Sequence, residues 1–142
     1  MNTYNISRIC LGVFYLIASM VNLFHTINNT QYLWVVCLEN VHFSSYKEFL
    51  EQIIIPNEKS VIILIVFFEL VVGMLILSKE IFVKIGLMLG VLWVLLISPF
   101  LPWNDILGHL ILGIFQALLL KENYDKSFLE IIHSKILSDS IL

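Results

Sequence analysis

A single carboxylate interrupts an apolar run at residues 61–77. Glu69 stands near the middle of this run, directly between Phe68 and Leu70. A charged side chain inside a hydrocarbon layer is costly unless it faces an interior and finds a partner or a proton. The run, with its flanks, is long enough to cross a bilayer as a helix. We therefore expect the chain to fold as helices that shelter Glu69 from lipid.

The composition also indicates a bilayer environment. Hydrophobic residues make up 59% of the 142 residues and charged residues 13%, against about 45–50% and about 25% in a typical soluble domain. The net charge of -3 provides no basic field, so nucleic acid is excluded as an expected partner and the lipid bilayer is favoured. The length suits one domain.

Four apolar segments predict an all-α fold, a transmembrane four-helix bundle. The predicted helices lie at about residues 6–27, 60–78, 81–100 and 105–120.

The long connection between the first two helices predicts a short amphipathic helix at residues 45–55. Ser45 and Glu48 fit a capping box, apolar residues then recur at helical spacing, and Pro56 is expected to stop the helix. We expect this helix to lie on the membrane surface or over the mouth of the bundle. Residues 121–142 are predicted to form a cytoplasmic tail.

The basic residues predict the orientation. Four crossings place both termini on one side, and of the 8 Lys and Arg residues only Lys47 and Lys59 then lie on the opposite side. Cytoplasmic segments carry the excess of Lys and Arg, so both termini are expected in the cytoplasm. We predict a multi-pass integral membrane protein, in the cell (inner) membrane if the source is bacterial.

Helix depth groups the polar side chains into two sets. The first is a buried polar core consisting of Arg8, Tyr15, Glu69 and Gln116. Glu69 in this set has three interpretations: a hydrogen-bonded or protonated group that locks helix packing, a proton-relay or ligand-binding carboxylate, or a residue outside the bilayer.

The second set lies toward the outer face and predicts a pocket that binds a small molecule or a quinone headgroup. Its members are Asn22, His25, Ser98, Asp105 and His109. The alternative is that the interfacial histidines are satisfied by water and backbone. Two histidines on separate helices could ligate haem or a metal, but no third certain ligand accompanies them. We therefore predict no metal site and leave the cofactor unspecified.

Helix contacts are predicted from small and polar residues. One face of the first helix carries a stripe spaced by threes and fours, which suits a helix–helix contact. Its residues are Arg8, Gly12, Tyr15, Ser19, Asn22 and Thr26. Gly86 and Gly90 form a GxxxG pattern, for which packing inside the bundle is favoured over dimerisation.

These segments together resemble the DoxX-like family of small four-helix membrane proteins. The resemblance covers residues 6–120 and is carried by Arg8 with Leu11-Gly12, by residues 68–77, by residues 83–87 with Lys84 and Gly86, and by Pro99 and Trp103. It implies a four-helix bundle similar to a membrane subunit of thiosulfate:quinone oxidoreductase and to a membrane protein used in methylamine dehydrogenase maturation. The chain departs from the family at residues 22–25, where many relatives have a glycine and a lysine, and in its long outer connection.

Catalytic motifs are missing from the sequence, which contains no GxSxG, P-loop, GxGxxG after a strand or HExxH. We therefore predict no catalytic residue and favour an accessory or assembly subunit of a membrane system, such as a redox system, with other membrane or redox subunits as partners. One alternative is a quinone- or small-molecule-binding membrane subunit of an oxidoreductase. Another is a small proton-coupled transporter in which Glu69 titrates, although neither a repeat nor a broken helix supports it.

Overall fold

The computed structural model describes residues 3–41 and 43–139, which are mostly helical and contain no β-strand. The last residues of the predicted tail, 140–142, lie outside this description. The helices are α1 (Thr3–Phe24), α2 (Thr30–Asn40), α3 (Ser44–Phe49), α4 (Glu58–Leu77), α5 (Ile81–Ile97), α6 (Trp103–Leu119) and α7 (Phe128–Asp139). The predicted all-α class is confirmed.

Within the described residues, 3 helical segments are long and apolar enough to cross a membrane. They are Thr3–Asn28, Ser44–Leu77 and Ile81–Phe100. The segment Asp105–Leu119 is apolar but shorter.

α4, which carries Glu69, begins at Glu58, close to the predicted start at residue 60, but the preceding helical segment does not stop where the sequence predicts. Instead of ending at Pro56, the helical path runs from Ser44 to Leu77 through a π-helical turn (Leu50–Ile54) and a 3-10 turn (Ile55–Asn57). Proline lacks an N–H group and its ring clashes with the carbonyl four residues earlier in a regular α-helix. A local π or 3-10 turn changes that spacing, so the chain passes Pro56 without leaving the helical path.

The four longest helices pack side by side in chain order. α1 packs against α4, α4 against α5, and α5 against α6. Glycines permit the close approaches: a Cβ atom on Gly86 would lie 2.9 Å from the backbone nitrogen of Ile76, and one on Gly73 would lie 3.0 Å from the carbonyl oxygen of Gly12. Gly90 faces Tyr15, so the predicted interior packing of the GxxxG pattern is confirmed.

Residues 30–41 and 43–57 form a folded unit at one end of α4, which we call the outer cap. Its own apolar cluster contains Trp34, Cys37 and Leu50, together with Ile62 of α4. Burial raises the pKa of the Cys37 thiol to about 11. The outer cap therefore has a small core of its own, whereas the sequence predicts an amphipathic helix at residues 45–55 on the membrane surface or over the mouth of the bundle. The expected capping box does not start α3, because no side chain caps that helix and the Glu48 carboxylate instead accepts a hydrogen bond from Gln52.

Candidate functional site

A line of polar side chains runs along the inner face of α1. Arg8 and Ser19 are fully buried, and Tyr15 is 2% exposed. The Ser19 hydroxyl donates a hydrogen bond of 3.0 Å to the carbonyl oxygen of Val66 on α4. The helical stripe seen in the sequence thus faces the protein interior, because residues three and four apart share one side of a helix.

Glu69 on α4 pairs with Asn22 on α1. The Asn22 Nδ2 atom donates to Glu69 Oε2 over 2.8 Å, and the Thr26 hydroxyl donates to Asn22 Oδ1 over 2.8 Å. Glu69 is 7% exposed. Among residues 3–41 and 43–139, the Glu69 carboxylate forms no ion pair.

This pairing differs from the depth estimate, which assigns Asn22 to the outer set. α1 and α4 run antiparallel, since Arg8 contacts Ile76 near the end of α4 while Ser19 contacts Val66. The Cα–Cβ bonds of a helix tilt toward its N-terminus. The side chains of Asn22 and Glu69 therefore lean toward each other along the bundle axis, and a depth count based on Cα positions places them too far apart.

Tyr15 and Gln116 form a second buried pair, between α1 and α6. The Tyr15 hydroxyl donates to Gln116 Oε1 over 3.2 Å. Both side chains lie over Gly90 of α5, where an added Cβ atom would fall 1.8 Å from Gln116 Oε1 and 2.7 Å from the Tyr15 hydroxyl. Gln116 is fully buried, and its Nε2 atom has no hydrogen-bond partner among the described residues.

Arg8 lies at the other end of the stripe and does not contact Glu69. Its guanidinium donates to the carbonyl oxygens of Ile76 (3.1 Å) and Ser78 (2.7 Å), and to that of Lys126. Its Nε atom donates to Asn5 Oδ1 over 3.0 Å. Arg8 therefore caps the carbonyl end of α4, where the helix dipole favours a cation, and ties the segment after α6 to it.

Tyr124 is a site residue that the sequence prediction missed. It belongs to the predicted tail, yet it is 2% exposed, and its ring lies 4.8 Å from the Arg8 guanidinium carbon. Its hydroxyl donates to the carbonyl oxygen of Leu119 over 2.9 Å. Burial raises the pKa of Tyr124 to about 12. The only sequence signal was a lone aromatic residue in a polar segment, a pattern that exposed residues also show.

The hydrogen bonds of the described residues do not join the members of the predicted outer pocket to one another. The Ser98 hydroxyl donates to Val94 within its own helix segment, and His109 Nδ1 lies 2.9 Å from the carbonyl oxygen of Asp105 on the same helix. His25 and Asp105 are exposed. In the described ranges no three His, Cys, Asp or Glu side chains are close enough to hold a metal ion.

No protein-family model, curated protein or solved structure matches this chain. The chemistry of the interior must therefore follow from its own residues. Side-chain donors and acceptors that pair across helix boundaries fix helix positions, and Glu69 contributes a carboxyl group to them.

Proposed function

We propose that this chain is a multi-pass integral membrane protein, a bundle of four crossing helices that serves as an accessory or assembly subunit of a membrane system. The observation that carries the proposal is the distribution of side chains. Polar groups lie between the helices, and large apolar groups cover the outside.

The exterior of the long helices is apolar at many positions. Leu64 on α4 is 67% exposed, Leu96 on α5 is 66% exposed, and Ile111 and Ile114 on α6 are 61% and 62% exposed. Isolated exposed apolar residues are ordinary on a soluble protein, whereas large contiguous patches are rare and need a covering. Lipid chains supply that covering in this proposal.

The fourth crossing is α6. Its 17 residues span about 25 Å at about 1.5 Å per residue, a little less than the hydrocarbon thickness of about 30 Å. Trp103 at its start is 73% exposed and suits the membrane interface. The apolar exterior of α6 supports a crossing, and the shortfall is within the range that a bilayer accommodates by local thinning.

In this proposal both termini are cytoplasmic, the outer cap faces the opposite compartment, and the chain is a DoxX-like protein. The family proposal is supported by the location of the residues that carry the resemblance. Arg8 caps α4, Gly12 approaches Gly73, and Gly86 approaches the backbone of α4. These residues act in helix contacts, as expected if the resemblance reflects a shared bundle. An accessory role fits this chain because its interior polar side chains hydrogen-bond to one another, which gives them a role in holding the helices together.

The topology is tested with cysteines placed in a chain that carries Cys10→Ser and Cys37→Ser. A thiol reagent that cannot cross membranes is expected to label Asn57→Cys in intact cells. It should label Asn123→Cys only after permeabilisation. Labelling with the opposite pattern would contradict the orientation, and extraction of the protein by alkaline carbonate would contradict membrane integration.

The accessory role is tested by purification of the chain from its native membranes in a mild detergent. Co-migration with a fixed set of other membrane proteins is the expected result. In a matched preparation that uses a harsher detergent, the chain is expected to separate from these proteins and to migrate alone. A chain that migrates alone under both conditions would argue against a subunit role.

A second candidate, a small proton-coupled transporter, is favoured by one observation: the described polar partner of Glu69 is a neutral amide rather than a cation. Proteoliposomes with an internal pH dye test it under an imposed membrane potential. A proton flux that is present in the native chain and lost in Glu69→Gln supports transport. Equal traces for the two proteins would leave Glu69 as a packing residue.

A further inference from the structure

A cavity of about 240 Å³ lies at the same end of the bundle as Arg8. It is formed where the turn between α4 and α5 meets the segment that follows α6. Its walls are Glu80, Ile81, Lys84, Asn123, Tyr124 and Asp125. None of these residues belongs to the two polar sets predicted from the sequence.

Hydrogen bonds and a contact between Arg8 and the Tyr124 ring hold the walls of this cavity in place. The backbone N–H of Glu80 donates to the carbonyl oxygen of Tyr124 over 2.6 Å, and Tyr124 is fixed by Leu119 and by the Arg8 guanidinium. Glu80 adopts a φ of 53°, the only positive φ among the described non-glycine residues. Such a conformation is unfavourable for a side-chain-bearing residue and persists where neighbouring contacts impose it. The carboxylate of Glu80 is thus presented by a constrained backbone.

The charges on the cavity wall are mixed. Lys84 Nζ donates to Asn123 Oδ1 over 3.1 Å, a neutral partner. Glu80 and Asp125 are exposed and form no ion pair within the described part of the chain, where Lys79 pairs with Glu130. Two carboxylates and one ammonium disfavour a purely anionic ligand, and Lys84 disfavours a bare cation. A ligand that carries both an ammonium and a neighbouring anionic group complements the wall.

The cavity borders the apolar exterior of α5. Ile81 lines it and is 58% exposed, and the adjacent Phe82 is 52% exposed. If α5 crosses the membrane as proposed above, this border lies at the level of the lipid headgroups. The volume is below the range of about 300–1,000 Å³ for drug-sized ligands, so it suits a headgroup rather than an acyl chain.

We propose that this cavity is a binding site for a zwitterionic ammonium–phosphate group, supplied by the headgroup of a phosphatidylethanolamine lipid. Glu80 and Asp125 bind the primary ammonium, whose N–H groups donate to carboxylates. Lys84 binds the phosphate. The acyl chains of the lipid then lie along Ile81 and Phe82. The assignment to a lipid rests on the proposed membrane location.

The test is native mass spectrometry of the full chain. The protein is incubated in detergent with phosphatidylethanolamine, phosphatidylcholine or phosphatidylglycerol, and the detergent is then removed in the instrument. Phosphatidylcholine lacks ammonium N–H donors and phosphatidylglycerol lacks the ammonium altogether. We expect retention of phosphatidylethanolamine above both. Glu80→Gln, Asp125→Asn and Lys84→Gln should each reduce that preference by up to roughly fivefold, the upper end of the range for one exposed charge pair. Equal retention of all three lipids overturns the proposal.

Matched controls are Lys59→Gln and Glu51→Gln, which remove exposed charges far from this cavity. They should retain the preference, and its loss in these variants would also overturn the site. Soluble phosphoethanolamine tests whether a free headgroup compound, rather than a lipid, is the ligand. Displacement of bound lipid only at a high excess of phosphoethanolamine supports a lipid ligand. Binding of phosphoethanolamine as tight as that of the lipid overturns the lipid assignment. Carbonate extraction reports membrane location separately, so failure of the lipid site and failure of the proposed topology are distinguishable.

Discussion

The amide nitrogen of Asn22 lies 2.8 Å from the carboxylate oxygen of Glu69, and this bond connects the middle of α4 to α1. The Asn22 carbonyl oxygen is in turn occupied by Thr26. Thr26 therefore helps to orient the amide so that its N–H group points at Glu69. The costly carboxyl of the apolar run thus has a defined interior partner.

The Asn22–Glu69 contact is expected to contribute a coupling free energy of about 0.6–2 kcal/mol, the range for polar contacts between membrane helices. Asn22→Ala and Glu69→Ala, singly and combined, form the double-mutant cycle, measured by unfolding in mixed micelles. Glu69→Gln should remain close to the native stability because its amide oxygen still accepts from Asn22. Val21→Ala, on an exposed position of the same helix, is the control. Additive effects of the two alanine changes would show that the contact does not stabilise the fold.

Gly86→Ala is expected to destabilise the protein by about 1–3 kcal/mol, the usual range for overpacking. The added methyl group would lie 2.8 Å from Leu75 Cβ and 2.9 Å from Ile76 N, so α4 and α5 must move apart. Gly108→Ala is the matched control, since its Cβ atom would meet nothing within 4 Å. It should be neutral or stabilising by up to about 1 kcal/mol because alanine favours helix. Similar unfolding midpoints for the two variants would contradict the close approach of α4 and α5.

Arg8→Lys is expected to cost about 2–3 kcal/mol, although the charge is kept. A single ammonium cannot reproduce the forked geometry that reaches Ile76, Ser78 and Lys126, so buried and partly buried carbonyl groups lose their donors. Tyr124→Phe should cost only about 1 kcal/mol, because it removes one hydrogen bond and keeps the ring beside Arg8. Thermal unfolding in detergent ranks the two variants, with Lys47→Gln as an exposed control. An Arg8→Lys protein as stable as the native one would exclude the capping role.

Acidification is expected to loosen the start of α7. Glu130 accepts hydrogen bonds from the Ser127 backbone and from Lys79 Nζ at 2.7 and 2.9 Å, which lower its pKa from 4.5 to about 2. Because the folded-state pKa is depressed, the stabilisation is complete above pH 4.5 and is lost as the pH falls toward 2. Lys79 experiences the reciprocal effect, a raised pKa caused first by its hydrogen bond to Glu130.

Hydrogen exchange of the α7 amides, corrected for intrinsic rates, measures this loosening. The native protein should lose protection between pH 4.5 and pH 2, whereas Glu130→Gln should show weak protection at every pH. Glu122→Gln, on the segment before α7, is the control and should behave like the native chain. A native profile without this pH dependence would disprove the role of Glu130.

The two Ser-x-x-Glu patterns show that the sequence motif alone does not predict whether a capping box forms. Ser45 and Glu48 match a capping box but do not form one, because α3 already begins at Ser44. Ser127 and Glu130 match the same pattern and do form one, with Glu130 N–H donating to the Ser127 hydroxyl over 3.3 Å. The difference depends on where the chain enters each helix, and the motif itself does not contain that information.

The sequence by itself determined the helical class, the apolar segments and the inward face of α1. These follow from composition and from a periodicity of three and four residues, which are local properties of the chain. It also indicated that Glu69 needs an interior partner, since that requirement depends only on the cost of a carboxylate in an apolar environment.

The tertiary structure alone decided which partner each polar group has. Asn22 reaches Glu69 because the side chains of these two antiparallel helices lean toward each other, and Arg8 contacts both the end of α4 and the ring of Tyr124. The helical path through Pro56 and the outer cap around Trp34 likewise depend on contacts between distant segments. Such contacts are set by the relative positions of packed helices, which no local pattern of residues specifies.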